Sequence, residues 1–315
     1  MSFAQEVKQE VAQKIMSGND ARAELSALIQ LCSSLSLSSR GMSLVVNSEN
    51  AAVTRRIYTL VKDRYHPEIE MFVKKKMNLK KNRIYGMRIM TNAQEILRDL
   101  GIYSSRGLLD KPLQKIVQTD NNARAYLAGA FLACGSVNSP EKTNYHLELS
   151  LNSEEHANFI INLLNRFNIG AKVITRRSKY ITYVKSAEKI ADFLRCIEAD
   201  QALLDFENIR IERDFTNSIT RLNNMDVANE MKTQKAASNQ LEDILFLEKE
   251  GYFEKLDKRL QEVAELRKEF PESSLNELAL TYEKRTGTTV SKSGMKHRFN
   301  RIHEFVEKLQ KNKRT

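Results

Sequence analysis

The sequence predicts an α+β protein in two parts: a duplicated α/β domain over residues 1–205 and an all-α domain over 236–315, with a helical linker at 206–235. Three observations predict it. A helix-then-strand pattern recurs at a constant offset of 102 residues, strand signals stop after Asp205, and the C-terminal tract holds a capped helix followed by a second, basic one. Repetition of this kind is read before local propensity, because missing it misassigns the whole fold.

The two copies span about 20–100 and 122–200. Glu24 to Leu35 matches Tyr126 to Val137, each a short apolar helix running into a small-residue turn. An apolar β-like run follows in each (Met42 to Val46; Tyr145 to Leu151), then Asn-Ser-Glu, whose serine is suited to cap a helix. The next segments, Ala51 to Arg64 and Glu155 to Phe167, repeat apolar residues at helical spacing. Two short strands come next in each copy: Ile69 to Lys74 with Ile84 to Met90, and Ala171 to Thr175 with Tyr180 to Lys185. A closing helix ends each unit, at Thr91 to Leu100 and Ser186 to Ile197. The unit reads α-β-α-β-β-α, or α-β-β-α-β-β-α if the first β run is a hairpin.

Beyond Asp205 the chain turns polar, Asn-rich and helical in propensity up to Leu247, and Tyr252 to Phe270 reads as one amphipathic helix ended by Pro271. Ser274-Leu275-Asn276-Glu277 fits a capping box. After Thr286 to Thr289 a further helix begins, with Met295, Phe299, Ile302, Val306 and Leu309 as its buried seam. Ser293, Lys296, His297, Asn300 and Arg301 fall away from that seam. One packed face and one face of cations and hydrogen-bonding groups suit a DNA major groove, so the pair is assigned as a helix-turn-helix. Its candidate contacts are Ser291, Lys292, Ser293, Lys296, His297, Arg298, Asn300 and Arg301.

Tyr126 to Val137 resembles the signature helix of LAGLIDADG homing endonucleases, and Glu24 to Leu35 looks like a degenerate second copy. The resemblance implies that two such helices pack through small residues, here Ala128, Gly129, Ala27 and Ser26, beneath two sheets that form a saddle over DNA. It also implies that cleavage needs an acidic residue at the end of each signature helix. Cys32 and Cys134 stand there, with Gln30 and Leu132 two residues earlier. Hard divalent cations need oxygen ligands, so the scaffold is expected to be retained, the chemistry lost, and no catalytic residue, metal or other cofactor present. This domain together with Val290 to Phe299 resembles the WhiA family of Gram-positive bacteria, as does Arg221 to Asn229 with Lys232-Thr233. That resemblance implies a DNA-binding protein that regulates transcription, in sporulation for some lineages, or serves cell division and chromosome segregation in others.

Charge agrees with an anionic partner. The 315 residues carry a net charge of +10: residues 1–120 hold +7, 121–226 hold 0, 227–283 hold −5 and 284–315 hold +8. One basic island is a hairpin candidate, with Lys74, Lys75, Lys76, Lys80, Lys81, Arg83 and Arg88 and no acid from Phe72 to Arg88. The second copy offers Lys172, Arg176, Arg177, Lys179 and Lys185 in the equivalent place. Such clusters contact phosphates without reading sequence. The expected partner is double-stranded DNA. RNA is disfavoured because the basic segments lack interleaved aromatics. A rival reading makes the α/β domain a docking platform for a transcription or division factor, and another keeps a residual endonuclease.

Three dispersed cysteines, Cys32, Cys134 and Cys196, make neither a disulfide framework nor a zinc site, and Cys32 and Cys134 are read as small buried fillers. Of five histidines only His297 is a candidate contact. No apolar run is long enough for a signal peptide or a membrane span, so a cytoplasmic, nucleoid-associated protein with no membrane partner and no small-molecule substrate is expected.

Overall fold

The computed structural model describes residues 1–38, 41–75, 83–142 and 144–314. It divides into two compact units, Met1–Asp214 and Phe215–Thr315. Helix α1 (Phe3–Ala12) opens the first. The first repeat follows as α2 (Gly18–Cys32), β1 (Ser33–Ser38), β2 (Gly41–Ser48), α3 (Ala51–Tyr65), β3 (Ile69–Lys75), β4 (Arg83–Ile89) and α4 (Ala93–Asp99). A two-residue hairpin, β5 (Tyr103–Ser104) with β6 (Gly107–Leu108), leads to the second repeat. That repeat is α5 (Asp120–Cys134), β7 (Gly135–Val137), β8 (Leu147–Leu151), α6 (Glu154–Arg166), β9 (Lys172–Arg176), β10 (Lys179–Val184) and α7 (Ala187–Cys196).

The repeat is therefore α-β-β-α-β-β-α, and its first β run is a hairpin. Both sheets are antiparallel with matching order, β1-β2-β4-β3 and β7-β8-β10-β9. Period-two alternation fixes which face is buried: Leu44, Val46, Met87 and Ile89 in one sheet, and Leu147, Leu149, Leu151 and Val184 in the other, are at most 3% exposed. No turn separates the signature helices from their strands. Ser33 and Gly135 are already extended, at φ −108° and −78°, and cap the helices as strand residues. Gly135 is thus not a turn glycine; a Cβ there would lie 2.3 Å from the Phe131 ring. Asn50, not Ser48, caps α3 by accepting from Ala52 N at 2.8 Å, whereas Ser153 caps α6 as the sequence suggests.

The signature helices α2 and α5 form the axis of the first core. Gly129 permits their approach, because an added Cβ would sit 2.4 Å from the Glu24 carbonyl oxygen and 3.0 Å from Ala27 Cβ. Beside this contact lies a buried ion pair: Arg56 donates from Nε to Glu24 Oε1 at 3.0 Å and from Nη2 to Oε2 at 2.5 Å. Burial pushes the Glu24 carboxyl up, and the Arg56 fork opposes that shift.

Helix α8 (Asp200–Lys249) has residues in both units, and residues 214–236 are exposed along its whole circumference. The second core gathers Ile244 and Leu247 of α8, Leu260 and Val263 of α9 (Lys258–Glu269), Leu278 and Tyr282 of α10 (Leu275–Thr286), and the seam of α11 (Lys292–Arg314). The amphipathic run after Tyr252 is shorter than its periodicity suggests: Phe253–Lys255 is a single 3-10 turn and Asp257 starts α9, accepting from Arg259 N at 3.2 Å. Arg267, 1% exposed, donates to Gln240 Oε1 at 3.0 Å and to the Ser273 carbonyl at 2.5 Å, and so fixes the α9–α10 bend. No helix among the described residues is long and apolar enough to cross a membrane.

Candidate nucleic-acid interface

The C-terminal helix pair is built by its caps. Ser274 N donates to Glu277 Oε2 at 2.7 Å and Glu277 N to Ser274 Oγ at 3.3 Å, completing the capping box of α10; these bonds hold the Glu277 carboxyl below its usual range. Gly287, at φ +69°, ends α10 in the left-handed region, and residues 287–291 connect it to α11. Ser291 Oγ accepts from Gly294 N at 3.1 Å and lies 2.9 Å from Ser293 Oγ, which starts α11.

Met295, Phe299, Ile302 and Val306 are at most 3% exposed, so the opposite face of α11 is turned to solvent. Ser291, Lys292, Ser293, Lys296, His297, Asn300 and Arg301 are all exposed. Arg298 is not one of this group. It is half-buried, its guanidinium lies 4.6 Å from the Tyr282 ring centroid, and its Nη1 is buried without a hydrogen-bond partner among the described residues. Its charge is committed to the α10–α11 contact.

In the first unit, strand register divides the basic residues. Lys74 pairs with Ile84, and Arg88 with Val45 and Glu70, on the face opposite the core. Lys75 and Arg83 pair with each other on the other face, beyond the edge of the core. Lys76, Lys80 and Lys81 lie outside the described residues. The outer face of the first sheet also carries Ser34, Ser36 and Ser43, because β1 keeps its leucines on the core side.

The second outer face is different. Lys172 and Glu148 flank Tyr183, and Arg176 pairs with Lys179. His146 stacks on Tyr183 at 5.9 Å and reaches Glu148 Oε2 at 3.0 Å, while Lys185 Nζ lies 5.3 Å from the same ring. Lys74 Nζ likewise lies 4.8 Å from the Phe72 ring. Aromatics therefore do interleave with the basic residues, contrary to the sequence reading; the strand pairing supplies what linear spacing hides. Arg177 and Ser178 form the hairpin tip, both left-handed at φ +50° and +61°, a type I′ geometry usually given to Asn-Gly.

The ends of the signature helices carry thiols. Cys32 and Cys134 are half-buried rather than buried, and Cys134 Sγ donates to the Ala130 carbonyl at 3.3 Å. Burial pushes their thiols up to about 12 and about 11, so both are neutral at physiological pH. Lys8 of α1 is the cation that acts on both thiols; burial pulls its ammonium down, against the charge of Glu49. Among the described residues no cluster of His, Cys, Asp or Glu is arranged to hold a metal ion. Neutral thiols and an ammonium are the wrong donors for magnesium or manganese.

One buried polar chain escaped the sequence reading, which treated His156 as ordinary. Tyr126 Oη lies 2.8 Å from His156 Nε2 and 3.2 Å from Gln30 Oε1, and Gln30 Nε2 donates to the Leu109 carbonyl at 3.0 Å. All groups are satisfied if His156 Nε2–H donates to the tyrosine and the tyrosine donates to the glutamine, which assigns the tautomer. Burial pushes His156 down to about 4 and Tyr126 well above its ordinary value.

A doubled α/β fold of the LAGLIDADG type, with Cys32 and Cys134 at the ends of its signature helices and a helix-turn-helix after it, defines the class of this protein. The WhiA N-terminal LAGLIDADG-like domain matches residues 19–103, the WhiA LAGLIDADG-like domain 123–216 and the WhiA C-terminal HTH domain 219–306. The "Probable cell division protein WhiA" of Enterococcus faecalis is 46% identical over 309 residues, covering 98% of both chains. The protein of the same name from Latilactobacillus sakei is 45% identical over 311 residues, with 98% of each covered. The crystal structure of full-length DUF199/WhiA from Thermatoga maritima superposes with a TM-score of 0.59 at 25% identity, covering 98% of this chain and 99% of that one. The chain belongs to the WhiA family.

Proposed function

We propose that this protein is a non-enzymatic, double-stranded DNA-binding protein of the WhiA type, acting on the nucleoid in the cytoplasm. It regulates transcription, serves bacterial cell division and chromosome segregation, or does both; in sporulating lineages the regulated genes include those of sporulation. The observation that carries the reading is the solvent face of α11, where Lys296, His297, Asn300 and Arg301 are exposed beside a seam that is nearly fully buried. That helix enters the major groove, and the outer faces of the two sheets add phosphate contacts through Lys74, Arg88, Arg176, Arg177 and Lys179.

Mapping bound DNA across the genome of the native cell yields the preferred site. Replacing Lys296, His297 and Arg301 together by alanine is expected to abolish preference for that site; retained preference would overturn the assignment of α11. Plasmid incubated with magnesium or manganese is expected to stay intact, and specific nicking would overturn the non-enzymatic reading.

The second reading, a docking platform for a transcription or division factor, is favoured by one observation: Met71 and Val73 on β3 and Ile174 on β9 are 54%, 60% and 47% exposed on the outermost strands. Outer strands with apolar side chains suit an added strand from a protein partner. The full chain carrying the α11 triple substitution separates the two readings. Residual, salt-sensitive DNA binding favours the saddle as a DNA surface, and its loss favours the platform.

A further inference from the structure

Between the two sheets of the first unit lies a cavity of about 560 Å³. Its walls come from both repeats. Asn47 and Ile84 belong to the outer face of the first sheet, Ser136 to that of the second, and Cys134 closes α5. Helix α1 inserts Lys8 into this space, and the helix is anchored by Val7 and Val11, both 0% exposed. Lys8 is half-buried, and its ammonium has no hydrogen-bond or ion-pair partner among the described residues. Its one ring contact is Phe131 at 5.7 Å. Asn47 and Ser136 are exposed in the same cavity and make no hydrogen bond among the described residues through their side chains. Glu49, at the rim, is the one acid among the described lining residues.

A cation held half out of water without a partner is an unfavourable arrangement that an incoming anion relieves. The neutral thiols of Cys32 and Cys134 supply no counter-charge, and although Glu49 at the rim favours the ammonium, burial outweighs it. Lys8, the Asn47 amide and the Ser136 hydroxyl together offer a monovalent cation and neutral donors, which suits a phosphodiester better than a free phosphate dianion.

We propose that the Lys8 cavity is a phosphate-binding subsite where the two repeats meet, taking one backbone phosphate of DNA lying in the saddle. Lys8 enters the space between the signature-helix ends and holds the backbone there without the means to cut it. The inference rests on the saddle being a DNA surface, and its test is designed to fail separately from that reading.

The full chain is titrated against non-specific duplex between 50 and 200 mM salt, as wild type, Lys8→Gln, Lys8→Arg and Asn47→Asp. The expected result is a log–log salt slope shallower by about 0.9 for Lys8→Gln, restored by Lys8→Arg. Asn47→Asp, which puts an anion into the cavity with Lys8 intact, is expected to flatten the slope by a similar amount. An unchanged slope for both Lys8→Gln and Asn47→Asp, at unchanged thermal midpoints, overturns the proposal. Combined replacement of Lys74, Arg88, Arg176 and Lys179 tests the saddle itself; if that also leaves the slope unchanged, the broader reading has failed. Thermal shift with inorganic phosphate and with a mononucleotide is the remaining arm. Stabilisation of the wild type but not of Lys8→Gln, with no change in the DNA slope, would assign the cavity to a free phosphate ester and overturn the DNA form.

Discussion

The α carbon of Gly129 faces the main-chain carbonyl of Glu24 so closely that a methyl group on it would sit 2.4 Å from that oxygen. The contact joins the two repeats at their axis, and neither partner can give way. Glu24 is fully buried and held by Arg56, and the opposing atom is backbone. Gly129→Val is therefore expected to push α2 from α5 and destabilise the first unit by roughly 1–3 kcal/mol or more. Thermal unfolding reads the change, and the melting of the second unit should not move.

Burial of His156 is expected to make the first unit acid-sensitive. Folding lowers His156 from near 6.5 to about 4, so the unfolded chain binds more protons between those values. Stability contributed by the neutral imidazole is full above pH 6.5 and is lost as pH falls toward 4. At about 1.4 kcal/mol per pH unit the loss is on the order of 3 kcal/mol. Denaturant midpoints of wild type and His156→Gln, measured from pH 7 to pH 4, should diverge at pH 7 and converge toward pH 4.

Arg298 and Arg301 lie three residues apart on α11 but are expected to behave oppositely. Arg298→Ala removes the cation over Tyr282 and should lower the thermal midpoint of the second unit while leaving DNA discrimination intact once folded. Arg301→Ala should leave the midpoint unchanged and weaken binding to the preferred site. Paired melting and fluorescence-anisotropy titrations check both.

The tip of the β9–β10 hairpin stores strain. Arg177 and Ser178 occupy left-handed backbone that costs non-glycine residues on the order of 1 kcal/mol each. Replacing them by Asn-Gly should raise the unfolding midpoint and, with the Arg177 charge gone, reduce the salt slope of DNA binding by about 0.9. A variant that is more stable and binds DNA with an undiminished slope would show that Arg177 contacts no phosphate.

How far the sequence discloses this molecule depends on the range of the interactions involved. The signature helices are legible because apolar and small residues crowd one short segment and recur at a fixed offset; the capping box of α10 is legible because it spans four residues. Helix α1 is harder to see, since only Val7 and Val11 mark its buried side. The Arg56–Glu24 pair bridges 32 residues and the Tyr126–His156 bond 30, so neither leaves a local pattern. The division of Lys74 and Arg88 from Lys75 and Arg83 is a consequence of register, which follows only once β3 is paired with β4. Arg298 lies at the border of the α11 seam, where helical angle alone does not decide between solvent and packing.

The duplicated backbone does not carry duplicated chemistry. One outer sheet face carries Lys74 over the Phe72 ring with Arg88, beside Ser34 and Ser36; the other carries Tyr183 with His146, Glu148, Lys172, Arg176 and Lys179. A duplex laid across both would meet the stacked His146–Tyr183 pair with Glu148 at one end and Lys74 over Phe72 at the other. A saddle that binds DNA in this way would give the duplex a head and a tail, and a site read through it a direction along the chromosome.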